Sequence, residues 1–233
     1  MQGANNILRE LFENPKSVFS VLSPAEQHDL QGAWQIVPVR KDEFIYKEGD
    51  CPAGFIFLIT GKVKIFKTGA SMREQIVRMT SALGYVGYRA LLADEIHNAS
   101  AVALENSVIC RVPPVHFFNR LLKNPDFSFR LLRKLASELG FSNSRTVTLT
   151  QKHIRGRLAE SLLLLKEKYG FEHDGASLKA YLSREDIARL SNMTTANAIR
   201  TLSSFVDEKV ITVDGRIIKI IDITRLESIS TSG

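Results

Sequence analysis

Between Ile36 and Val112, short apolar runs rich in β-branched and aromatic residues are broken by glycine and small polar positions. Ile36 to Val39, Glu43 to Tyr46, Gly54 to Thr60, Lys62 to Lys67, Glu74 to Met79 and Ser107 to Val112 have the length and composition of strands. Gly49-Asp50 and Gly61-Lys62 stand at expected turns, where glycine supplies a positive φ at no steric cost. The pattern predicts a small antiparallel barrel or sandwich.

A different period takes over near Pro125, a residue suited to the first turn of a helix, and continues to about His153. Leu132, Leu135, Leu139, Ser142, Thr146, Leu149 and His153 recur at alternating steps of three and four, as in a coiled-coil seam with small polar residues in its middle. A single amphipathic helix lying on its own barrel would show the same period.

The stretch from Leu182 to Phe205 reads as two short helices joined by a tight turn. Ser183 followed by Asp186 forms a capping-box pattern at the first helix, and Ile187 and Leu190 give it one apolar stripe. Asn192 falls where the chain must reverse, and asparagine tolerates the left-handed backbone that such a turn needs. Thr194 can cap the second helix. There Ala198, Leu202 and Phe205 should face the core, leaving Thr195, Ala196, Ile199, Arg200, Ser203 and Ser204 outside. These residues suit an ordinary helical hairpin as well as a DNA-reading helix-turn-helix. The adjoining stretch Lys209 to Asp222 favours the second reading, because it alternates apolar and polar residues around Asp214-Gly215, a two-residue hairpin signal, and so completes a winged helix.

Composition changes this picture little. The net charge of +6 and pI near 9.4 favour a polyanionic partner, since neutralised phosphates release counterions. The excess is spread out, with 13 basic against 11 acidic residues from position 151 onward, so a basic footprint must come from folding. A length of 233 residues and 44% hydrophobic content suit one large or two ordinary domains with real cores. No run approaches the roughly 20 apolar residues of a membrane helix, and Met1-Gln-Gly-Ala-Asn-Asn lacks the order of a secretory signal, so a cytoplasmic protein without a membrane partner is expected. Cys51 and Cys110 are too few and too far apart for a cysteine-only metal site and read as plain packed or surface thiols. No His-x-His, P-loop, Gly-x-Ser-x-Gly elbow or convincing carboxylate pair occurs, which argues against an enzyme.

The order of these parts resembles the cyclic AMP receptor protein and FNR (CRP/FNR) family of bacterial transcription regulators. The residues that carry the resemblance are Gly49-Asp50, the strand pair Phe55 to Lys64, the cassette Gly84 to Leu92, Asn124-Pro-Asp126, Gly156-Arg-Leu-Ala159 and the stretch Leu182 to Leu202. It implies an α+β chain: an N-terminal antiparallel β-roll of the jelly-roll, cyclic-nucleotide-binding type as sensor over 1–123, a dimerisation helix and hinge over 124–153, and a winged helix-turn-helix over 154–233. The seam Leu132, Leu135, Leu139, Ser142, Thr146 and Leu149 would then pair two copies. A helix-turn-helix usually reads an inverted repeat as a twofold dimer, with recognition helices about 34 Å apart. Implied partners are double-stranded DNA, a second copy, RNA polymerase and a small-molecule effector.

In cyclic-nucleotide-binding members of the family, a glutamate holds the ribose hydroxyl while an adjacent arginine and serine hold the phosphate. Here the glutamate position looks like Tyr88 and the arginine-serine pair like Asn98-Ala99, with His97 before and Ser100 after. Asparagine brings no charge to a phosphate, so cyclic AMP or cyclic GMP bound in the usual way is not expected, although Arg89 offers a cation from another direction. The redox members hold an iron-sulfur cluster on N-terminal cysteines that this chain lacks, so that cofactor is not expected either. Some members bind haem in the β-roll to sense nitric oxide or carbon monoxide; His28, His97, His116 and His153 are available, no spacing singles out an axial ligand, and haem stays as an alternative. Position places an effector pocket at Tyr85, Tyr88, Arg89, His97 and Asn98, faced by Phe141, Ser142 and Asn143 from the long helix. Simple packing of these residues, in a regulator with no ligand, is the other reading. A cyclic-nucleotide-type regulatory subunit without a DNA role is a further alternative.

At the DNA end, position in the family assigns Thr194 to a phosphate and Arg200 to a base, with a phosphate clamp as the other reading of Arg200; Thr195, Ala196, Asn197, Ile199 and Ser203 share the reading face, where an exposed Ile199 can touch a thymine methyl. Arginine can bond both acceptors of a guanine edge, worth about 1–3 kcal/mol of discrimination. Thr195 and Ala196 stand where relatives often carry arginine and glutamate, so the operator should differ from the family's familiar one. Lys152, Arg155, Arg157, Arg184 and Arg216 are candidates for backbone phosphates or else a solvated surface.

Overall fold

The computed structural model describes residues 11–69 and 72–232; the N-terminal residues, where a targeting signal would lie, fall outside them. The chain divides into two compact units. The first holds the described residues up to Thr68 together with Val77–Leu139, and the second runs from Gly140 onward and includes the described residues between Thr68 and Val77.

A short helix, α1 (Pro24–Ala33), opens on a full capping box: the Ser23 hydroxyl accepts from the Glu26 amide, and the Glu26 carboxylate accepts from the Ser23 amide at 2.8 Å. Eight strands follow: β1 (Gln35–Val39), β2 (Phe44–Tyr46), β3 (Phe55–Thr60), β4 (Lys62–Thr68), β5 (Glu74–Ser81), β6 (Tyr85–Val86), β7 (Ser100–Ala103) and β8 (Ser107–Val112), with α2 (Tyr88–Ala93) between β6 and β7. They form two four-stranded sheets, ordered β1-β8-β3-β6 and β2-β7-β4-β5. Strand β8 pairs antiparallel with β1 and β3, β3 with β6, and β7 with β2 and β4. This is the expected β-roll. The six strands anticipated from the sequence are present within a residue or two at their ends, and β6 and β7 are additional.

Strand β3 shows why the roll holds together. Successive side chains of a strand point to opposite faces, and here both faces are buried. Phe55, Phe57 and Ile59 join one apolar cluster with Phe19, Phe117 and Phe127, while Ile56 and Leu58 join a second with Val63, Ile65, Ala101 and Ile109. Burial of each such side chain stabilises the fold by about 1.5–3 kcal/mol. Gly49 and Gly61 have φ of 93° and 103°, as their turn positions require.

After α3 (Pro114–Asn119), the long helix α4 (Pro125–Gln151) stops two residues short of the expected His153, which instead caps α5 (Ile154–Tyr169). Its apolar residues divide between two faces. Phe127 and Leu131 are buried and Leu135 is half-buried, all packed against the Phe55 cluster. Leu132 and Leu139 are 61% and 64% exposed. Ser142 and Thr146 are exposed, the Thr146 hydroxyl donating to the Ser142 carbonyl at 3.0 Å, and Leu149 is half-buried. Leu135 therefore belongs to the roll's own core more than to an open seam.

The second unit contains the end of α4, then α5, α6 (Arg184–Leu190), α7 (Thr195–Asp207), the hairpin β9 (Ile211–Asp214) and β10 (Ile217–Ile220), and α8 (Ile223–Ser232). Leu158, Leu162 and Leu165 of α5 are buried, as is Leu226 of α8, which packs on α5. The hairpin pairs Asp214 with Ile217, so its two-residue loop is Gly215-Arg216, one step later than the Asp214-Gly215 expected, with Gly215 at φ 53°.

Candidate nucleic-acid interface

Helices α6 and α7 are each started by a side chain. The Ser183 hydroxyl accepts from the Asp186 amide at 3.0 Å, and the Thr194 hydroxyl accepts from the Asn197 amide at 3.2 Å. Between them Asn192 has the left-handed φ of 49° that reverses the chain. The Asn192 carbonyl accepts from Arg157 of α5 at 2.8 Å, so the turn is braced from behind.

Helix α7 has two sharply different faces. Ala198, Leu202 and Phe205 are buried as expected, with Thr201 beside them. Thr195, Ala196, Ile199, Arg200 and Ser203 are exposed, and Asn197 is half-buried. The Asn197 side-chain oxygen accepts from Arg200 Nη2 at 2.5 Å, holding the guanidinium back along the helix. Ser204 is not on the open face as anticipated: its hydroxyl accepts from Arg155 at 2.6 Å and donates to Glu208 at 2.8 Å.

The basic residues weighed for phosphate contact are mostly committed inside the unit. Arg155 pairs with Glu208 at 2.8 Å and covers the Phe205 ring at 5.0 Å. Glu208 also meets Arg225 at 3.2 Å, and the Ser204 hydroxyl, then Arg155, hold its carboxyl below the usual range. Lys152 donates to Glu160 and to the Ser230 carbonyl, both at 2.6 Å. Burial raises the Glu160 pKa, but hydrogen bonds from Lys152 and Ser230 outweigh it and leave that carboxyl below its ordinary value. Arg184 Nη2 donates to the Gly215 carbonyl at 2.6 Å, clasping the hairpin loop to the start of α6, while its buried Nη1 has no partner. Arg216, the other loop residue, is exposed.

Sequence reasoning did not find Arg145. It is 7% exposed on α4 and donates to the Leu190 carbonyl at the end of α6. Desolvation pushes its pKa down, against the pull of Glu160. An arginine on a polar stretch of helix reads as a surface residue, and only the folded unit shows that it braces the helix-turn-helix.

In the β-roll, the residues expected around an effector fall into separate groups. Tyr85 and Tyr88 are buried and meet edge to face, their centroids 5.0 Å apart. The Tyr88 hydroxyl donates to Glu138 of α4, which also pairs with Arg78 and, at 3.2 Å, with Lys134. His97 is buried and lies flat on Tyr46, 3.8 Å between centroids, and its backbone closes the Gly49-Asp50 turn through bonds of 2.8 and 2.9 Å. Desolvation lowers the His97 pKa, assisted by Arg89 and opposed by Asp50. Desolvation raises the Tyr46 hydroxyl to about 12. Gly87, with φ of 71°, makes room for the stack: a Cβ there would stand 2.9 Å from His97 and 3.0 Å from Tyr46. Arg89 turns to Glu95 at 2.8 Å, and Asn98 is exposed. Phe141 is half-buried and Ser142 and Asn143 are exposed, all in the second unit. Among the described residues, no group of three or more His, Cys, Asp or Glu is placed to hold a metal ion.

Comparisons with known proteins agree with this architecture. The family model of the cyclic nucleotide-binding domain matches residues 36–124, and that of the Crp-like helix-turn-helix domain matches residues 156–229. The chain is 26% identical over 188 residues to the fumarate and nitrate reduction regulatory protein of Vibrio cholerae, covering 79% of this chain and 74% of that one. It is 24% identical over 210 residues to the CRP-like cAMP-activated global transcriptional regulator of Mycobacterium tuberculosis, covering 90% and 94%. FixK2 from Bradyrhizobium japonicum shares the fold with a TM-score of 0.71 at 22% identity, over 84% of this chain and 97% of that one. With a β-roll, a long helix and a braced, winged helix-turn-helix in that order, the chain belongs to the CRP/FNR family of transcription regulators.

Proposed function

We propose that this protein is a homodimeric regulator that reads an inverted repeat in double-stranded DNA and is controlled through its β-roll by an effector other than cyclic AMP. The observation that carries the DNA reading is the two-faced α7, buried along Ala198, Leu202 and Phe205 and open along Thr195, Ala196, Ile199, Arg200 and Ser203. A helix anchored on one side and bearing small, polar and cationic groups on the other fits a major groove. Arg200 reads a guanine edge, Thr194 and Arg216 contact phosphates, and Arg184 acts by holding the wing.

Exposed Leu132 and Leu139 support pairing along α4, since a second copy would take both out of water. Residues 1–123 then serve as sensor, 124–153 as pairing helix and hinge, and 154–233 as reader, with RNA polymerase as the protein partner in the cytoplasm. An effector biases the pairing geometry and so the spacing of the two readers. The uncharged Asn98, the buried Tyr88 and the His97–Tyr46 stack all speak against a cyclic nucleotide held in the family's usual way. The same stack speaks against His97 as a haem ligand.

Selection from a randomised duplex pool by the purified protein, followed by anisotropy on the selected duplex, tests the reading. An inverted repeat with half-site centres about 10–11 bp apart is expected, with preference at one base pair per half-site lost in Arg200→Ala. No enrichment, with or without the small molecules of a cell extract, would overturn it.

A further inference from the structure

Ile199 is the more exposed of the two large apolar residues, with Val206, that the folded unit leaves open on the reader. It is 47% exposed on α7, while its neighbours Ala198 and Leu202 are buried. One turn earlier stands exposed Ala196, so the two make a small apolar ridge beside Arg200 on the open face. The hydrogen bond to Asn197 draws the Arg200 guanidinium back along the helix and fixes the cation next to this ridge. From Thr195 to Val206 there is no carboxylate to accept from the amino group of cytosine, and the side-chain oxygen of Asn197 is already engaged.

A major groove offers one apolar group for such a ridge, the 5-methyl of thymine. We infer that Ile199, with Ala196, is a specificity-determining contact for a thymine methyl group, placed next to the base pair that Arg200 reads. This rests on α7 as the DNA reader and adds to it the chemistry of a second base. The ridge has a single occupant here, because it is continuous with the polar reading face and flanked on the helix by Thr195 and Ser203.

The test uses the full-length protein and its selected duplex, with each thymine replaced in turn by deoxyuridine, which lacks only that methyl. Binding by the unaltered protein should weaken about three- to tenfold at one thymine per half-site, and the penalty should vanish in Ile199→Ala. Circular dichroism on that variant should be unchanged, since the side chain is exposed. Equal affinity for every deoxyuridine duplex would overturn the inference, as would a penalty that persists undiminished in Ile199→Ala. Loss of all sequence preference in the unaltered protein would instead overturn the DNA reading on which it rests.

Discussion

The Tyr88 hydroxyl donates to the Glu138 carboxylate and so ties the cassette helix α2 to α4, 50 residues further along the chain. Tyr88 is fully buried, and Glu138 answers Arg78 and Lys134 at the same time. The chain's own side chains thus make a connection between cassette and long helix.

Removing either end should therefore loosen the roll to different degrees. Tyr88→Phe deletes a hydroxyl that donates to Glu138 and accepts from Arg78 at 3.5 Å, and should cost about 1–2 kcal/mol in urea unfolding. Glu138→Ala leaves Arg78 without this carboxylate and the Tyr88 hydroxyl without its acceptor, and should cost about 2–3 kcal/mol. Equal effects would mean that the ion pair adds nothing to the hydrogen bond.

Two arginines of the second unit should separate cleanly on DNA. Arg155 is spent on Ser204, Glu208 and the Phe205 ring, whereas Arg216 stands open on the wing. Arg155→Ala should lower thermal stability by about 1–2 kcal/mol and leave the salt dependence of binding unchanged. Arg216→Ala should leave stability unchanged and reduce the slope of log affinity against log salt by about 1. The reverse pattern would return Arg155 to the phosphate contacts.

His97 gives the roll a pH dependence of definite sign. Burial holds its folded pKa below the ordinary 6.5, so between the two values the unfolded chain binds the proton and the folded chain resists it. Stability is then lost as pH falls below about 6.5 toward the folded value, and is unaffected by this group above about pH 7.5. Denaturant midpoints between about pH 5 and 8 should show the loss, and His97→Phe, which can keep the stack on Tyr46, should flatten it. A rise in stability on acidification would contradict the burial.

The two thiols should differ in reactivity. Cys51 is exposed, while Cys110 is buried and desolvation lifts its thiol to about 12. Iodoacetamide on the native protein should label Cys51 alone, with Cys110 following only in denaturant. Mass spectrometry of the labelled peptides decides it.

Much of the architecture was legible because it rests on local signals. Glycine-broken strands, the cap at Thr194, the left-handed Asn192 and the spacing of Ala198, Leu202 and Phe205 all act within a few residues. What escaped depends on partners far away in sequence. Strand β7, Ser100–Ala103, carries only one β-branched residue and is a strand because Val63, Lys64, Ile65 and Phe66 pair with it. Helix α1 has Leu30 as its only buried residue, so its period was too weak to see, although Ser23-Pro24 followed by Glu26 was a start signal in plain view. On the site, the open face of α7 was readable, but the inward commitment of Ser204, Arg155 and Lys152 was not. Charge alone does not say which acid a long side chain will find.

Strand β3 also governs how the roll comes apart. Because Phe55, Phe57 and Ile59 belong to one cluster and Ile56 and Leu58 to the other, neither cluster can melt while the strand stays in place. The amides of β3 should accordingly exchange with solvent deuterium only through opening of the entire roll, with one shared opening free energy. A disturbance at either cluster is then felt by the whole roll as a single cooperative body.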